Sequence, residues 1–324
     1  GAWGTKATEH TVNVVFENCK NMYKVFITGT TGTLNISMTD CAFEGAFKEA
    51  LYSNADGNIT LTNVAFSNLN KAVNLNHKAT GTQTVTINGC SFTNCGAVVA
   101  EDQIPVRVLS SVHGGKSVLN VSNTTFTGTP EGGADILLDY GVCETTASVT
   151  ATAANYAVNL ASSAANAVVT IADSDLTGLN VVNVAGANSD VSVDNTTITT
   201  VDNTAVEGYS TICLNKAAVN GKIIATNTTI TLTGSYADDS RIARNGAEGG
   251  YVSVNGSTEN VVVDVAYIAY GDTYYGFSSI EAAIKKAVAG ETIGLIRDVT
   301  ATQAIVIDKS ITIDGNGHKL TSTA

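Results

Sequence analysis

The side chains that could do chemistry gather in two long polar stretches. One holds Glu101, Asp102, Arg107 and His113; the other holds Asp238, Asp239 and Arg241, with Glu248 behind them. Two carboxylates flanking a glycosidic bond, roughly 5–9 Å apart, can act as acid and base in hydrolysis. Carboxylate and carbonyl oxygens crowded into one loop could hold calcium; no cofactor is otherwise expected. Each stretch also reads as an ordinary solvated polar loop, so the residues are ligand-binding candidates, with no catalytic or metal-ligating set assigned. Asp314-Gly315-Asn316-Gly317-His318 collects polar groups too, but its glycines lack the phosphate-cradling order, and a turn explains them.

Charge narrows the partners. The net charge of −12 leaves no basic stripe to neutralise phosphates, which argues against nucleic acid. No apolar run approaches the roughly 18 residues of a membrane helix. Gly1-Ala2-Trp3-Gly4 is no signal peptide, so an exported protein would carry its leader outside this chain. Low charge (14%), 44% apolar residues and 30 glycines against 2 prolines fit many short strands and argue against disorder.

The elements that must position these groups follow from a repeat: apolar, polar, apolar, polar, then Asn, Asp or Gly, a small residue, any residue, and a large apolar one. It appears as Val14-Val15-Phe16-Glu17-Asn18-Cys19, Ile36 to Phe43, Ile59 to Phe66, Val85 to Phe92 and Leu119 to Phe126. Weaker copies are Val149 to Tyr156, Val169 to Leu176, Val191 to Ile198, Ile223 to Ile230 and Val252 to Ser257. The first copy departs, with Asn21 at the final apolar position. Alternation over four residues makes a strand with one buried face. Asn or Asp then tolerates the left-handed backbone of a sharp bend. A second apolar stretch, such as Tyr23 to Ile27 or Val106 to Leu109, adds another strand. A coil of this kind buries its inner face only by stacking on neighbours, which predicts an all-β solenoid of about ten coils.

The repeat also accounts for the cysteines. Cys19, Cys41 and Cys90 share a column with Val64, Thr124, Thr196 and Thr228, where a small residue is needed and Cys behaves as a small hydrophobe. A Cys19–Cys41 bridge is geometrically conceivable, the pair lying one coil apart. No C-x-x-C pair offers a zinc site.

These copies, over residues of about 12 to 264, resemble the right-handed parallel β-helix of the pectin-lyase-like superfamily. The resemblance implies a secreted or cell-surface protein, of bacterial style, whose fold serves enzymes, adhesins and phage fibres alike. Its hydrolases need clustered Asp residues with His-Gly and Arg-Ile-Lys motifs. Here Arg241-Ile242 is followed by Ala243, and His113-Gly114 lies several coils away from Asp238-Asp239. Its lyases use calcium and an Arg or Lys base, and no arginine cluster appears. Outward pairs such as Thr60/Thr62, Asn120/Ser122, Thr150/Thr152 and Ser192/Asp194 form polar rows instead, interrupted by Glu17, Ala172, Ile224 and Asp194.

Residues 266–324 differ, and set the domain division at 1–265 and 266–324. Ser278 and Glu281 form a capping box, Ile280, Ile284, Ala287 and Val288 make an apolar helical stripe, and strands are expected at Glu291 to Leu295 and Ile305 to Ile307. The segment resembles the N-terminal capping helix and first coil of a second β-helix. It would either begin a tandem solenoid or cap the preceding coils, and an uncovered cap could stack head-to-tail on the next molecule. The function expected is a non-catalytic adhesin, spacer or glycan-binding scaffold meeting an extracellular glycan or host surface. The alternative is a polysaccharide lyase or glycoside hydrolase.

Overall fold

The computed structural model describes residues 2–6, 10–29, 31–45, 49–96, 106–128, 133–152, 155–201, 210–233, 241–271 and 273–323, with the backbone alone at 2–6, 241 and 273. The chain winds as an all-β parallel β-helix. One 11-stranded parallel sheet runs from Ala2–Lys6 to Val261–Val263, and a 16-stranded parallel sheet carries the alternating repeat. Each coil gives one strand to the first sheet, a longer strand to the second, and most give a short third strand beyond a bend. Register is kept from coil to coil: Val14, Ile36, Ile59, Val85, Leu119, Thr145, Val169, Val191, Ile223 and Val252 form one inward column. Ten coils result.

The bend is where the sequence is most exacting. Asn18, Asp40, Asn63, Asn123, Asp173, Asn195, Asn227 and Asn255 all hold φ between 45 and 54°, which short polar side chains tolerate best. Gly89 takes this place in the fourth coil at φ 65°; a Cβ there would stand 2.5 Å from Asn63 Oδ1 unless that side chain moved. The residue after the bend clips it shut by donating to the carbonyl two residues back: Thr124 to Ser122 (2.8 Å), Thr196 to Asp194 (2.8 Å), Thr228 to Thr226 (2.9 Å), and the Cys41 thiol to Thr39 (3.3 Å). The cysteine column is thus a bend-clipping column in which thiol replaces hydroxyl. All six cysteines are free, Cys19 and Cys41 included.

Beyond the bend, Phe43, Phe66, Phe92 and Phe126 stack through the core with centroids 5.3, 4.8 and 4.7 Å apart. Each such contact contributes about 0.5–1.5 kcal/mol beyond area burial.

Two coils differ from the expected repeat. In the first, Met22 rather than Asn21 supplies the apolar residue: it bridges to Phe43, and Asn21 absorbs the extra residue at φ 53°. In the sixth, Val149 to Tyr156 is not the copy. The strand is Cys143–Thr152, with Thr145 and Ala147 opposite Leu119 and Val121, Val149 opposite Thr124, and Ala151 opposite Phe126. Asn123 has no partner there, and the register shifts around it. Small and polar residues in the inward positions concealed this coil.

The C-terminal segment builds its own apolar cluster from Ala266, Ile268, Phe277, Ile280, Ala283, Ile284, Ile293 and Leu295. A hairpin, Ala266–Tyr270 with Thr273–Phe277, leads to the helix Ile280–Lys286. Ser279, not Ser278, caps the helix by accepting from Ala282 N, and Val288 is 60% exposed rather than part of the buried stripe. Thr292–Leu295 pairs in parallel with Thr312–Asp314, and Val299–Ala301 with Leu320–Ser322, so one further turn of coil is completed. The second strand is therefore Val299–Ala301; Val306 and Ile307 stand exposed outside any strand. Arg297 ties the segment to the rod, donating to Asp264 O (2.6 Å) and Ala247 O (3.2 Å).

Candidate functional site

The described members of the two polar stretches do not converge: the strands Val106–Val112 and Arg241–Asn245 stand in one sheet with four strands between them. Glu101, Asp102, Asp238 and Asp239 lie outside the described residues. Arg241 opens the strand Arg241–Asn245, its backbone opposite Ser210. Arg107 lies in the strand Val106–Val112, as the apolar stretch Val106 to Leu109 predicts, and it is fully buried rather than part of a solvated loop. Its guanidinium pairs with Asp135 and donates to the carbonyls of Cys95 (3.0 Å), Thr127 (3.3 Å) and Thr152 (3.4 Å). Burial pulls its pKa down to about 10, against the upward pull of the nearby Cys95. Enclosed in this way, Arg107 can tie three coils together but cannot meet a ligand from solvent.

His113 follows the far end of that same strand. Its Nε2 lies 3.0 Å from Ser111 Oγ and its ring packs on Tyr140, centroids 4.6 Å apart. Six residues of extended chain separate Arg107 from His113 by roughly 20 Å, too far for joint chemistry. Glu248 is exposed on a turn near the end of the rod. Among the described residues, no group of three His, Cys, Asp or Glu side chains could hold a metal ion.

Five of the six thiols are buried and poorly placed to act as nucleophiles. Burial pushes Cys90 and Cys143 up to about 11 and Cys213 up to about 12, and raises Cys41 and Cys95 as well. Reactive cysteines are shifted in the opposite direction.

A cleft of about 90 Å³ lies where the rod meets the C-terminal segment, with Lys216, Glu248, Asn316 and His318 among its lining. Lys216 Nζ sits over Tyr267 and Tyr274, at 4.2 and 4.8 Å from the ring centroids. The space is small beside the roughly 300–1,000 Å³ of ordinary ligand pockets.

The most regular polar surface is the outward face of the 16-stranded sheet. Ser37, Thr60, Thr86, Asn120, Thr146, Thr170 and Ser192 stand in register on successive strands. Beside them runs a second row, Thr39, Thr62, Asn88, Ser122 and Ser148. Strand spacing sets about 4.8 Å between members of a row, and two residues of strand set roughly 7 Å between rows. Thr150 and Thr152 do not belong here, because they sit beyond the bend against Asp175 and Thr177. Thr146 and Ser148 take their place, and the array is more regular than the sequence suggested. Ile224 interrupts the first row after Ser192, and the second row ends at Ser148, since pairing with the next strand stops at Ala147 opposite Ile171.

Neighbours within these rows bond to one another: Thr146 to Asn120 Oδ1 (2.8 Å), Ser122 to Asn88 Oδ1 (3.0 Å), and Asn58 to Asn35 to Asn13 in a third row (3.0 and 2.9 Å). Such ladders fix side-chain rotamers before any partner arrives, lowering the ordering cost of contact.

No protein-family model, curated protein or solved structure matches this chain.

Proposed function

We propose that this chain is a non-catalytic parallel β-helix of the pectin-lyase-like type, displayed on or released from a cell surface, where it acts as an adhesin, spacer or glycan-binding scaffold. A bacterial surface is the setting suggested by the resemblance. The observation carrying this reading is the row from Ser37 to Ser192, unbroken over seven successive strands. A hydroxyl can donate and accept, so the row matches an extended polymer that itself presents hydroxyls along its length. Each bond contributes only about 0.5–1.5 kcal/mol, and affinity would come from many contacts made at once. The acidic charge favours neutral over anionic glycans.

The test replaces hydroxyls without altering β-branching: Thr60→Val, Thr86→Val and Thr146→Val together. The scaffold reading expects an unchanged circular dichroism spectrum and at least a tenfold loss of binding to whichever neutral glycan the wild type retains on an array. Full retention of binding by the triple variant would remove the row from the glycan contact.

A further inference from the structure

On the 11-stranded sheet, one carboxylate joins an amine to a carboxamide. Glu49 Oε1 lies 2.6 Å from Lys24 Nζ, and Glu49 Oε2 accepts a hydrogen bond from Asn74 Nδ2 at 2.8 Å. The three residues come from consecutive strands of the sheet, Lys24–Thr28, Glu49–Ser53 and Lys71–His77. Register brings Asn74 opposite Tyr52 and Tyr52 opposite Phe26, two residues along from Lys24. The carboxylate is screened from water, while the Lys24 side chain is 25% exposed. Glu49 is 7% exposed, and Asn74 Oδ1 is buried with no hydrogen-bond partner among the described residues. Lys24 Nζ lies over the Phe26 ring at 4.8 Å, and that ring stacks on Tyr52 at 4.6 Å.

We propose that Lys24 and Asn74 become joined by a side-chain amide bond, with Glu49 moving the protons. A general base must reach the proton it takes, and both nitrogens already contact this carboxylate. Glu49 accepts a proton from Lys24 Nζ, which frees the lone pair to attack Asn74 Cγ. The Nζ–Cγ bond forms and the Cγ–Nδ2 bond breaks; Nζ sheds a second proton as it becomes an amide nitrogen, and Glu49 relays both protons to Nδ2, which leaves as ammonium. Nothing is oxidised or reduced, and no co-reactant is needed. Screening from water disfavours the competing hydrolysis of the carboxamide.

The position of the bond gives it a use. In a parallel β-helix the strand-to-strand hydrogen bonds lie along the rod axis, so tension on the rod loads them in series. A Lys24–Asn74 amide would span three coils near one end and carry load that those bonds otherwise bear alone. This inference stands independently of glycan binding.

Intact-mass measurement of the denatured full-length chain tests it, followed by fragmentation of a digest. The expected result is a mass lower than the sequence mass by one ammonia, and a branched peptide joining Lys24 to Asn74. Lys24→Arg, Asn74→Ala and Glu49→Ala should each restore the full mass. Lys71→Arg should keep the bond, although Lys71 lies opposite Glu49 in register. Because Glu49→Ala could unsettle the strand, Lys24→Arg with an unchanged circular dichroism spectrum is the decisive variant. The full sequence mass in folded wild-type protein overturns the proposal. An ammonia loss that survives Lys24→Arg also overturns it, since a succinimide at an Asn-Gly step such as Asn88-Gly89 would give the same mass.

Discussion

Arg107 and Asp135 meet across adjacent strands of the 11-stranded sheet, and both are closed off from solvent. Charges in such a place are costly unless matched, so removing one partner is worse than removing both. Asp135→Ala should cost about 3–5 kcal/mol in chemical denaturation. The double variant Arg107→Met/Asp135→Leu should recover most of that loss. Equal destabilisation by single and double variants would show that the ion pair is not what the site requires.

The phenylalanine stack gives a second expectation. Phe92 is packed between Phe66 and Phe126 and is fully buried. Phe92→Ala should destabilise by about 3–5 kcal/mol and Phe92→Leu by distinctly less. Leu and Ile already serve this column at Leu176 and Ile198. Equal losses from the two variants would mean that ring stacking, rather than filled volume, decides the position.

Thiol accessibility follows from burial. Five of the six cysteines are buried and Cys19 is intermediate. With an aromatic disulfide reagent near pH 8, the native chain should release at most the signal of Cys19, and denatured chain the signal of all six. Rapid native labelling of several thiols would contradict the packing of the bend column.

Asp194 supplies a pH-dependent observable. Thr226 Oγ1 donates to its Oδ1 at 2.6 Å and Asn227 Nδ2 at 3.1 Å. These bonds favour the charged form, Thr226 most, and hold the carboxyl below its ordinary value. A depressed folded-state pKa gives stability that is present above the unfolded value and lost as pH falls through the folded one. The NMR titration midpoint of Asp194 should therefore lie below the usual aspartate range, and Thr226→Val should move it upward. An unmoved midpoint would remove Thr226 as the cause.

Most of the fold was legible because the columns are periodic. Val-x-Ile followed by Asn announces a strand and a left-handed bend together, and eight such Asn or Asp residues adopt that conformation. What was hidden lacked contrast. Thr145 and Ala147 face the core of the sixth coil, yet neither reads as an inward apolar residue, so the copy was placed several residues late. Arg107 falls both in the strand expected at Val106 to Leu109 and in a polar stretch, and its partner, Asp135, inside the apolar run Ala134 to Leu138, is visible only through strand pairing. The Lys24, Glu49 and Asn74 cluster was invisible for the same reason: its members occupy unremarkable positions in three separate copies. The polar rows were half legible, since the pairs were evident and the bulge at Asn123 decided which pairs align.

Turnover on polysaccharides tests the non-catalytic scaffold most directly. Purified chain would be incubated with polyuronates and with neutral plant and host glycans, with calcium or with chelator, reading both new reducing ends and unsaturated-product absorbance. The account predicts no product on any substrate, with binding retained on a neutral glycan. New unsaturated ends that disappear with chelator, or new reducing ends in either condition, would contradict it and make this rod an enzyme.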